Sequence, residues 1–339
     1  MTNCERFHAT FNADPGVDRC PVIEWASWWD ETIEAWEQNG LQPGLSTQEL
    51  YQHFGLDSNT QFWFPHRTEN CPKPASYGAP LITDEQDYKE LKPFLFPKNA
   101  VQSMLCEIEE ALPRYNDGSS IIWYTLEGFF WYPRELFGIE PHFYSFYDSP
   151  ELYHRICEDL LEWQLGVVEE FSRYMKADFM TIAEDMSYNL GSMISEELFE
   201  EFIAPYYKRL IPEIKKHGTR VIIDSDGDIS SSIPWFIRAG AEGILPLERQ
   251  AGVDIKVLQQ QYPDFFWLGG FDKMCLLKDQ EAINAEFDRI VPMLQKGRLI
   301  PSVDHQTPPG VSMENYHYYV NKMREVSVQA CKDLPNLKP

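Results

Sequence analysis

Short apolar runs alternate with longer amphipathic segments along most of the chain. Eight of these runs are rich in β-branched and aromatic residues, which favour β-strands, and they occupy residues 21–25, 61–64, 121–125, 179–183, 220–224, 242–247, 265–270 and 298–303. The segments between them include 149–175 and 195–218, where apolar residues recur at helical spacing. The second begins at Ser195 in a capping-box-like context and ends at Gly218, as helices often do. Strands that alternate with helices predict a parallel sheet.

Eight strands in 339 residues predict an α/β protein, and favour a (β/α)8 TIM barrel with an N-terminal extension over an open sheet. No linker divides the chain, so we expect a single domain over residues 1–339, with its core at about 18–330. In such barrels the loops that follow the strands build the active site. The residues after the runs are therefore candidates for function, and they are acidic and aromatic: Trp25, Trp28, Trp29, His66, Glu127, Glu184, Asp185, Asp224, Asp226, Asp272, Asp304 and His305.

The charge of the chain argues against two classes of partner. Fifty-three acidic residues against 29 basic ones give a formal net charge of −24, which repels nucleic-acid phosphate and anionic lipid. We therefore expect no nucleic acid and no membrane as partner. The seven cysteines form no CxxC pair, the sequence opens without a basic and apolar leader, and no apolar stretch is long enough to span a bilayer. These features predict a cytoplasmic protein with reduced thiols.

The turn DSDGD, residues 224–228, has three interpretations. A calcium loop of the EF-hand type fails, because glycine stands at its fourth position instead of its sixth and Trp235 at its twelfth. A phosphatase of the haloacid-dehalogenase type would use Asp224 as the nucleophile, but Asp228 stands where those enzymes usually have threonine, and little chain follows for the rest of that fold. In the third, the aspartates cap the next segment. Capping suits Asp228 better than Asp224 or Asp226, whose spacing directs both side chains to the same rim.

The order of several segments resembles the uroporphyrinogen decarboxylase superfamily, which includes corrinoid-linked methyltransferases. The segments that carry the resemblance are DRCPVIEWASWW at 18–29, SIIWYTLEGFFWYPRELFG at 120–138, MISEELFEEFIAPYYKRLIPEIKKHG at 193–218, AGAEGILPLE at 239–248, FFWLGGFDKMCLL at 265–277 and RLIPSVDHQTPPGVSMENY at 298–316. No single motif is specific, but the order and spacing together are. The resemblance covers most of residues 18–330 and implies the same barrel, together with a homodimer.

Two departures from the family pattern bear on function. The decarboxylases follow the opening segment with arginines that hold the carboxylates of the substrate, whereas WASWWDETIEAW here supplies tryptophans and acids. Porphyrinogen decarboxylation is therefore not expected, because like charges in a partly desolvated pocket repel strongly. The zinc methyltransferases have His-x-Cys after the fifth strand and a second cysteine after the eighth. Here the first two places hold Asp224 and Asp226, and the third falls near Asp304 or His305.

The resemblance implies a divalent-metal site formed by Asp224, Asp226, Asp304 and His305, with zinc expected first and harder cations competitive at oxygen ligands. A metal-free cluster of carboxyls with raised pKa values is the alternative. The implied activity is methyl transfer between a small methylated substrate and the cobalt of a separate corrinoid protein. The expected catalytic residues are Asp224, Asp226, His305, Asp185 and Glu184. The residues expected around the substrate are Trp25, Trp28, Trp29, Glu127 and Asp272.

The tryptophans suit an aromatic methyl ether or a methylated ammonium as substrate. The second hypothesis is a carboxy-lyase of the uroporphyrinogen decarboxylase type that acts on a smaller, less anionic substrate, with His305 or a protonated aspartate as the acid. A phosphatase and a non-catalytic binding barrel stay open as well. Several candidates also have a structural explanation: Glu184 and Asp185 could cap the following stretch, Glu127 could belong to a surface turn, and the tryptophans could pack in the core.

Overall fold

Seven parallel strands form the main sheet of the protein, whose computed structural model describes residues 1–332. In chain order the strands are β1 (Ser58–Trp63), β2 (Ser120–Glu127), β3 (Phe179–Ala183), β4 (Ser187–Tyr188), β5 (Gly191–Ser192), β6 (Arg220–Asp224), β7 (Gly243–Leu245), β8 (Phe266–Phe271) and β9 (Leu299–Val303). The main sheet has the order β1-β2-β3-β6-β7-β8-β9, and β4 and β5 form a separate antiparallel pair. The predicted α/β class is confirmed, and seven of the eight predicted strands are strands, each within three residues at its ends.

Helices separate every two consecutive strands of the main sheet. Within residues 1–332 they are α1 (Asn3–Asn12), α2 (Asp30–Gln38), α3 (Thr47–Phe54), α4 (Glu85–Leu91), α5 (Leu105–Asn116), α6 (Trp131–Phe137), α7 (Ile139–Asp148), α8 (Pro150–Phe171), α9 (Glu196–Phe202), α10 (Ala204–Lys216), α11 (Ile233–Ala239), α12 (Ile255–Gln261), α13 (Gln280–Leu294) and α14 (Met313–Lys332). Three short 3-10 helices cover Lys92–Phe94, Gln102–Met104 and Lys273–Leu277. Strands with helices on their outer side are buried, and all eight residues of β2 are buried.

The segment 195–218 forms two helices, α9 and α10, where the sequence predicted one. Ser195 caps α9 as expected, because its side chain accepts a hydrogen bond from the Leu198 N–H (3.3 Å). The helix stops at Phe202, and a new one starts with Pro205 in its first turn. Proline has no N–H and fits the first turn of a helix, where that N–H would have no partner, so Pro205 suits the start of α10, which also has Pro212 in its interior.

The first predicted strand, residues 21–25, is not a strand, and this prediction was wrong. The segment lies between the two edge strands of the sheet and joins them through carboxylates. The Val22 N–H donates to Asp57 Oδ2 (2.9 Å), just before β1, and the Asp57 N–H donates to the Val22 carbonyl (2.8 Å). On the other side the buried Glu24 side chain accepts hydrogen bonds from the Val303 N–H (3.2 Å) and the Ser302 hydroxyl. Carboxylate oxygens thus accept the backbone N–H groups that backbone carbonyls would accept in a β-sheet.

Helix α1 covers the amino ends of the strands. Its Phe7 ring stacks on Phe179 at the start of β3 (centroids 5.0 Å apart), and its Phe11 ring stacks on Phe266 at the start of β8 (4.6 Å). These rings belong to a separate apolar cluster formed by inward-facing residues of the strands. The predicted N-terminal extension therefore blocks one end of the sheet, and the carboxyl ends of the strands are left for a site.

Two expectations about the whole chain meet the structure only in part. No helix within residues 1–332 has both the length and the apolar character that crossing a bilayer requires. The single domain over residues 1–339 stays a prediction, and residues 333–339 lie outside the described part of the chain.

Candidate active site

Acidic side chains gather where the strands of the main sheet end. Glu127 is the last residue of β2 and Asp224 the last of β6, while Glu184 and Asp185 follow β3 directly. Asp226 comes two residues after β6. Because the carboxyl ends of neighbouring parallel strands meet at one edge, these residues come together: the Asp226 N–H donates to Asp185 Oδ1 (3.0 Å), and the Glu184 N–H donates to the Asp224 carbonyl (2.8 Å). The structure thus groups five of the predicted site residues.

Burial and mutual repulsion favour the protonated forms of the inner aspartates. Burial raises the pKa of Asp224 well above its usual range, and the neighbouring carboxyls of Asp185 and Asp226 raise it further. Burial, and then the charge of Asp226, raises the pKa of Asp185 to about 6. Neighbouring buried carboxyls cannot all ionise together, so Asp224 and Asp185 between them hold at least one proton around neutral pH.

Glu184 is fully buried and serves the start of helix α6. Its carboxylate accepts a hydrogen bond from the Phe130 N–H (2.9 Å) and lies 3.5 Å from the Trp131 N. Gly128 makes room for it, because a Cβ at that position would lie 1.4 Å from Glu184 Oε2. Burial still raises the pKa of Glu184 to about 8. Glu184 therefore acts as a cap, at α6 and not in the stretch after it.

Glu127 has one partnered and one unpartnered carboxyl oxygen. Its Oε1 accepts a hydrogen bond from Trp63 Nε1 (3.2 Å) and lies 3.3 Å from His66 Nδ1. Its Oε2 is buried and has no hydrogen-bond partner among residues 1–332. Burial, and then the charge of Glu135, raises the pKa of Glu127 to about 8, and burial lowers the pKa of His66 to about 3. At neutral pH both groups are therefore neutral, and Glu127 is a buried acid with a proton to give.

Three side chains beside the acids have the geometry of a metal site. Ligand atoms of Asp226, Glu248 and His305 all lie within 4.8 Å of one another, and His305 Nε2 is 3.6 Å from Asp226 Oδ2. Contact with Asp226 raises the pKa of the His305 imidazole. The Gly227 N–H donates a hydrogen bond to Glu248 Oε2 (2.9 Å). Two carboxylates and an imidazole fit zinc or a harder divalent cation.

The other predicted ligands are placed differently. Asp224 belongs to the inner acids described above. Asp304 is fully buried and accepts hydrogen bonds from the Arg249 N–H (2.9 Å) and the Lys273 N–H (3.1 Å), with Lys273 Nζ at 3.4 Å. Its carboxylate thus ties two strand-end loops to β9. Of the four residues predicted as ligands, the structure brings Asp226 and His305 together and adds Glu248.

The residues predicted around the substrate do not form one wall. Trp25 lies beside His305, with ring centroids 6.3 Å apart, and its Nε1 donates to the Val303 carbonyl (2.8 Å). Trp28 is buried in the core against aromatic rings of α2, α3 and α14. Trp29 is 44% exposed at the start of α2. Asp272 Oδ1 caps a 3-10 helix by accepting the Met274 N–H (2.9 Å). The predicted aromatic wall is therefore reduced to Trp25.

A second set of possible ligands lies at the opposite end of the sheet. The Cys4 thiol and His8 Nε2 each lie 2.8 Å from Asp178 Oδ1, and ligand atoms of these three residues also fall within 4.8 Å of one another. Asp178 precedes β3, and its Oδ2 accepts the Ile122 N–H (2.8 Å). Any measurement of bound metal must therefore distinguish this set from the one at the strand ends.

Sequence reasoning missed three charged residues of this region. Glu248 directly follows the predicted run 242–247, so the rule that function follows strand ends reaches it. Arg67 lies near Glu127 and lowers the pKa of that carboxyl, and Arg134 does the same for Asp185. Arg67 directly follows the candidate His66, but Arg134 lies inside a helix and carries no signal at the level of sequence.

A parallel α/β sheet with buried carboxyls of raised pKa and a metal-compatible set of side chains at its strand ends has the organisation of an enzyme active site. Residues 138–326 match the family model described as uroporphyrinogen decarboxylase (URO-D). This is more than half of the chain, so the protein belongs to the uroporphyrinogen decarboxylase family, as the order of its segments predicted. The matched range contains Glu184, Asp185, Asp224, Asp226, Glu248, Asp304 and His305, but it excludes Glu127, His66 and Trp25.

Two known proteins illustrate the relationship. The uroporphyrinogen decarboxylase of Hydrogenobaculum sp. (strain Y04AAS1) is 28% identical over 185 residues, which cover 53% of this chain and 50% of that protein. The chain thus matches about half the length of that relative. A structure described as a methyltransferase from Methanosarcina mazei superposes with a TM-score of 0.68 at 16% identity, covering 96% of this chain and 99% of the other. At that identity the likeness concerns the fold.

Proposed function

We propose that the protein transfers a methyl group between a small methylated substrate and the cobalt of a separate corrinoid protein, with a divalent metal ion held by Asp226, Glu248 and His305. The observation that carries the proposal is the convergence of these three side chains from the ends of β6, β7 and β9. Their place agrees with the family pattern in which metal ligands follow the fifth and eighth strands. Oxygen ligands replace the thiolates of that pattern, so zinc and harder cations compete for the site.

When bound, the ion would stabilise negative charge on a thiol acceptor or on the oxygen that loses its methyl group. The chain's own residues hold protons and orient groups around it. Asp224 and Asp185, whose carboxyls have raised pKa values, lie next to Asp226, and the Trp25 ring lies beside His305. Glu127 holds its proton at the end of β2, where it is available to an oxygen or a carbon that gains an electron pair.

The proposal includes the closed form of the fold. In an eight-membered barrel, residues 21–25 would complete the wall between β1 and β9. The support is that Val22 and Glu24 contact residues on both sides of this gap. The carboxyl ends of all eight members would then encircle one pocket, which is the arrangement that lets Trp25 meet His305.

The first test is metal analysis of untagged protein. We expect about one divalent ion per chain in the wild type, loss of that ion in Asp226→Asn, and its retention in Cys4→Ser. The Cys4 variant is the control for the second ligand set at the amino ends of the strands. An unchanged metal content in Asp226→Asn, together with loss in Cys4→Ser, would assign the ion to the wrong end of the sheet and overturn the proposed site.

The second test is methyl transfer with a corrinoid protein supplied, followed by the change in cobalt absorbance. We expect transfer only when the corrinoid protein is present, and a loss of at least about a hundredfold in Asp226→Asn, because Lewis-acid stabilisation contributes several kcal/mol to the transition state. Unfolding midpoints of both proteins establish that the variant is folded. An unchanged transfer rate in the variant contradicts the role of Asp226.

A carboxy-lyase acting on a smaller, less anionic substrate is the second candidate, and the observation that favours it is Glu127. A buried carboxyl with a pKa of about 8 and an unpartnered oxygen is suited to protonate the carbon that loses carbon dioxide. This activity would need no corrinoid protein and would survive a chelator. Release of carbon dioxide that is insensitive to chelation and lost in Glu127→Gln would establish it in place of methyl transfer.

A further inference from the structure

A cavity of about 160 Å³ lies beside the acids, between the loop after β1 and helix α6. Its wall is closely packed. The Ile139 N–H donates to the Gly78 carbonyl (3.0 Å), and a Cβ at Gly138 would lie 2.7 Å from that same carbonyl oxygen. Gly138 also has a φ of +81°, which side chains rarely adopt. The cavity is therefore a built feature of the fold.

Two arginines give this cavity a positive charge within an acidic protein. The charged residues of its lining are Arg67, Arg134 and Glu135. Arg67 donates to Glu135 Oε2 (2.8 Å), which neutralises one guanidinium. The Arg134 guanidinium lies over the Trp131 ring, with its central carbon 4.7 Å from the ring centroid. The Nε atoms of both arginines are buried and have no hydrogen-bond partner within residues 1–332.

A single imidazole connects the cavity to the buried acid. His66 Nε2 lies 3.7 Å from Glu135 Oε2, and His66 Nδ1 lies 3.3 Å from Glu127 Oε1. On the other side, the backbone N of Trp131, whose ring lines the cavity, lies 3.5 Å from Glu184 Oε2. A molecule in the cavity is thus one side chain away from the acids at the strand ends.

We propose that Arg134, assisted by Arg67, binds the carboxylate of a small monoanionic substrate. The planar guanidinium on an aromatic ring presents a fork that matches a carboxylate, and two arginines with one glutamate leave one positive charge for one negative charge. A cavity of about 150 Å³ can bind benzene, so this cavity admits one aromatic ring. The same charge excludes a methylated ammonium and leaves an aromatic methyl ether with a carboxylate. Naming this carboxylate as the substrate rests on the proposed function, whereas its binding does not.

Binding is tested by isothermal titration calorimetry with benzoate as the probe. We expect benzoate to bind the wild type, and benzamide and benzyltrimethylammonium to bind at least about tenfold more weakly. Arg134→Gln should weaken benzoate binding by at least about tenfold, because a charge-assisted bidentate pair is lost. Arg134→Lys should weaken it less, because lysine keeps the positive charge. The control is Arg155→Gln, an arginine on α8 that is 58% exposed. Undetectable benzoate binding to the wild type, or equal affinity in Arg134→Gln and the control, overturns the proposal.

Methyl transfer from 4-methoxybenzoate and 4-methoxybenzamide, with a corrinoid protein supplied, separates this inference from the proposed function. If benzoate binds through Arg134 but neither compound loses its methyl group, the carboxylate site stands and methyl transfer from this substrate class fails. If both compounds react equally well and Arg134→Gln changes neither rate, methyl transfer stands and the carboxylate site fails. Preference for the benzoate that disappears in Arg134→Gln supports both.

Discussion

Replacing Glu127 by glutamine should stabilise the protein around neutral pH and impair its activity. Glu127 is 4% exposed, and its Oε2 finds no partner among the described residues. Glutamine has nearly the same shape and keeps an oxygen that can accept the hydrogen bond from Trp63. It has no acidic proton, so it cannot serve as an acid. A buried acid that weakens the fold is expected at a functional site.

The magnitude follows from the pKa of Glu127, which burial raises from 4.5 to about 8. Between these values the folded protein keeps a proton that the unfolded chain has released, so the stabilising contribution is complete below pH 4.5 and is lost as the pH rises through 8. Each pH unit in this window lowers the free energy of unfolding by about 1.4 kcal/mol. The loss amounts to about 3 kcal/mol at pH 7 and about 5 kcal/mol above pH 8.

Urea unfolding at pH 5, 6, 7 and 8 measures this effect as the difference in free energy of unfolding between Glu127→Gln and the wild type. We expect the difference to grow in favour of the variant with a slope close to 1.4 kcal/mol per pH unit. Glu110→Gln, an exposed substitution on α5, is the control and should give no slope. A difference that stays constant across this range would refute the reasoning, because it would mean that Glu127 has the same pKa in the folded and unfolded chains.

Three further predictions concern the elements around the site. Glu24→Gln should remove a fall in stability of about 3 kcal/mol between pH 4.5 and 7, since burial raises the pKa of Glu24 from 4.5 to about 7; pH-dependent urea unfolding would contradict this if both proteins kept the same slope. Gly128→Ala should lower the thermal midpoint by many degrees because its Cβ would overlap Glu184, whereas Gly166→Ala, which meets nothing within 4 Å in the middle of α8, should raise stability by about 0.5–1 kcal/mol. Ser195→Ala should cost about 1 kcal/mol of unfolding free energy, and a neutral result would show that the Leu198 N–H finds another acceptor.

The local sequence pattern was sufficient to predict the strands that are buried on both faces. The runs at 179–183 and 220–224 coincide with β3 and β6, because a continuous β-branched run with a helix after it leaves few alternatives. Residues 21–25 have the same local character but lack the ladder, since Val22 contacts the carboxyl of Asp57 and the segment's own Glu24 carboxyl contacts β9. Which side chain replaces a backbone carbonyl depends on contacts between segments far apart in sequence, so no local pattern reports it.

The site was predictable at the level of position and less so at the level of contacts. That Asp226 and His305 approach one another follows from parallel strand ends alone, because any residue two places after its strand projects toward the same edge. The fates of Trp28 and Asp304 could not be derived in this way. Trp28 is buried because Tyr316 of α14 packs on it (5.9 Å between ring centroids), and Asp304 is occupied by N–H groups of two other loops. Both depend on tertiary contacts that adjacent residues do not encode.

The formal charge of −24 gives a misleading picture of the site, and the structure shows why. Counted from the sequence, Glu127, Glu184 and Asp224 would place three negative charges at the strand ends and repel an anionic substrate. Burial raises the pKa of each of them, so that they hold protons at neutral pH. The unneutralised charge that remains in the adjoining cavity is then the guanidinium of Arg134, since Arg67 is paired with Glu135. A protein whose surface repels anions can therefore take a carboxylate in this cavity, because the same desolvation that neutralises the acids leaves the permanently charged arginine unscreened.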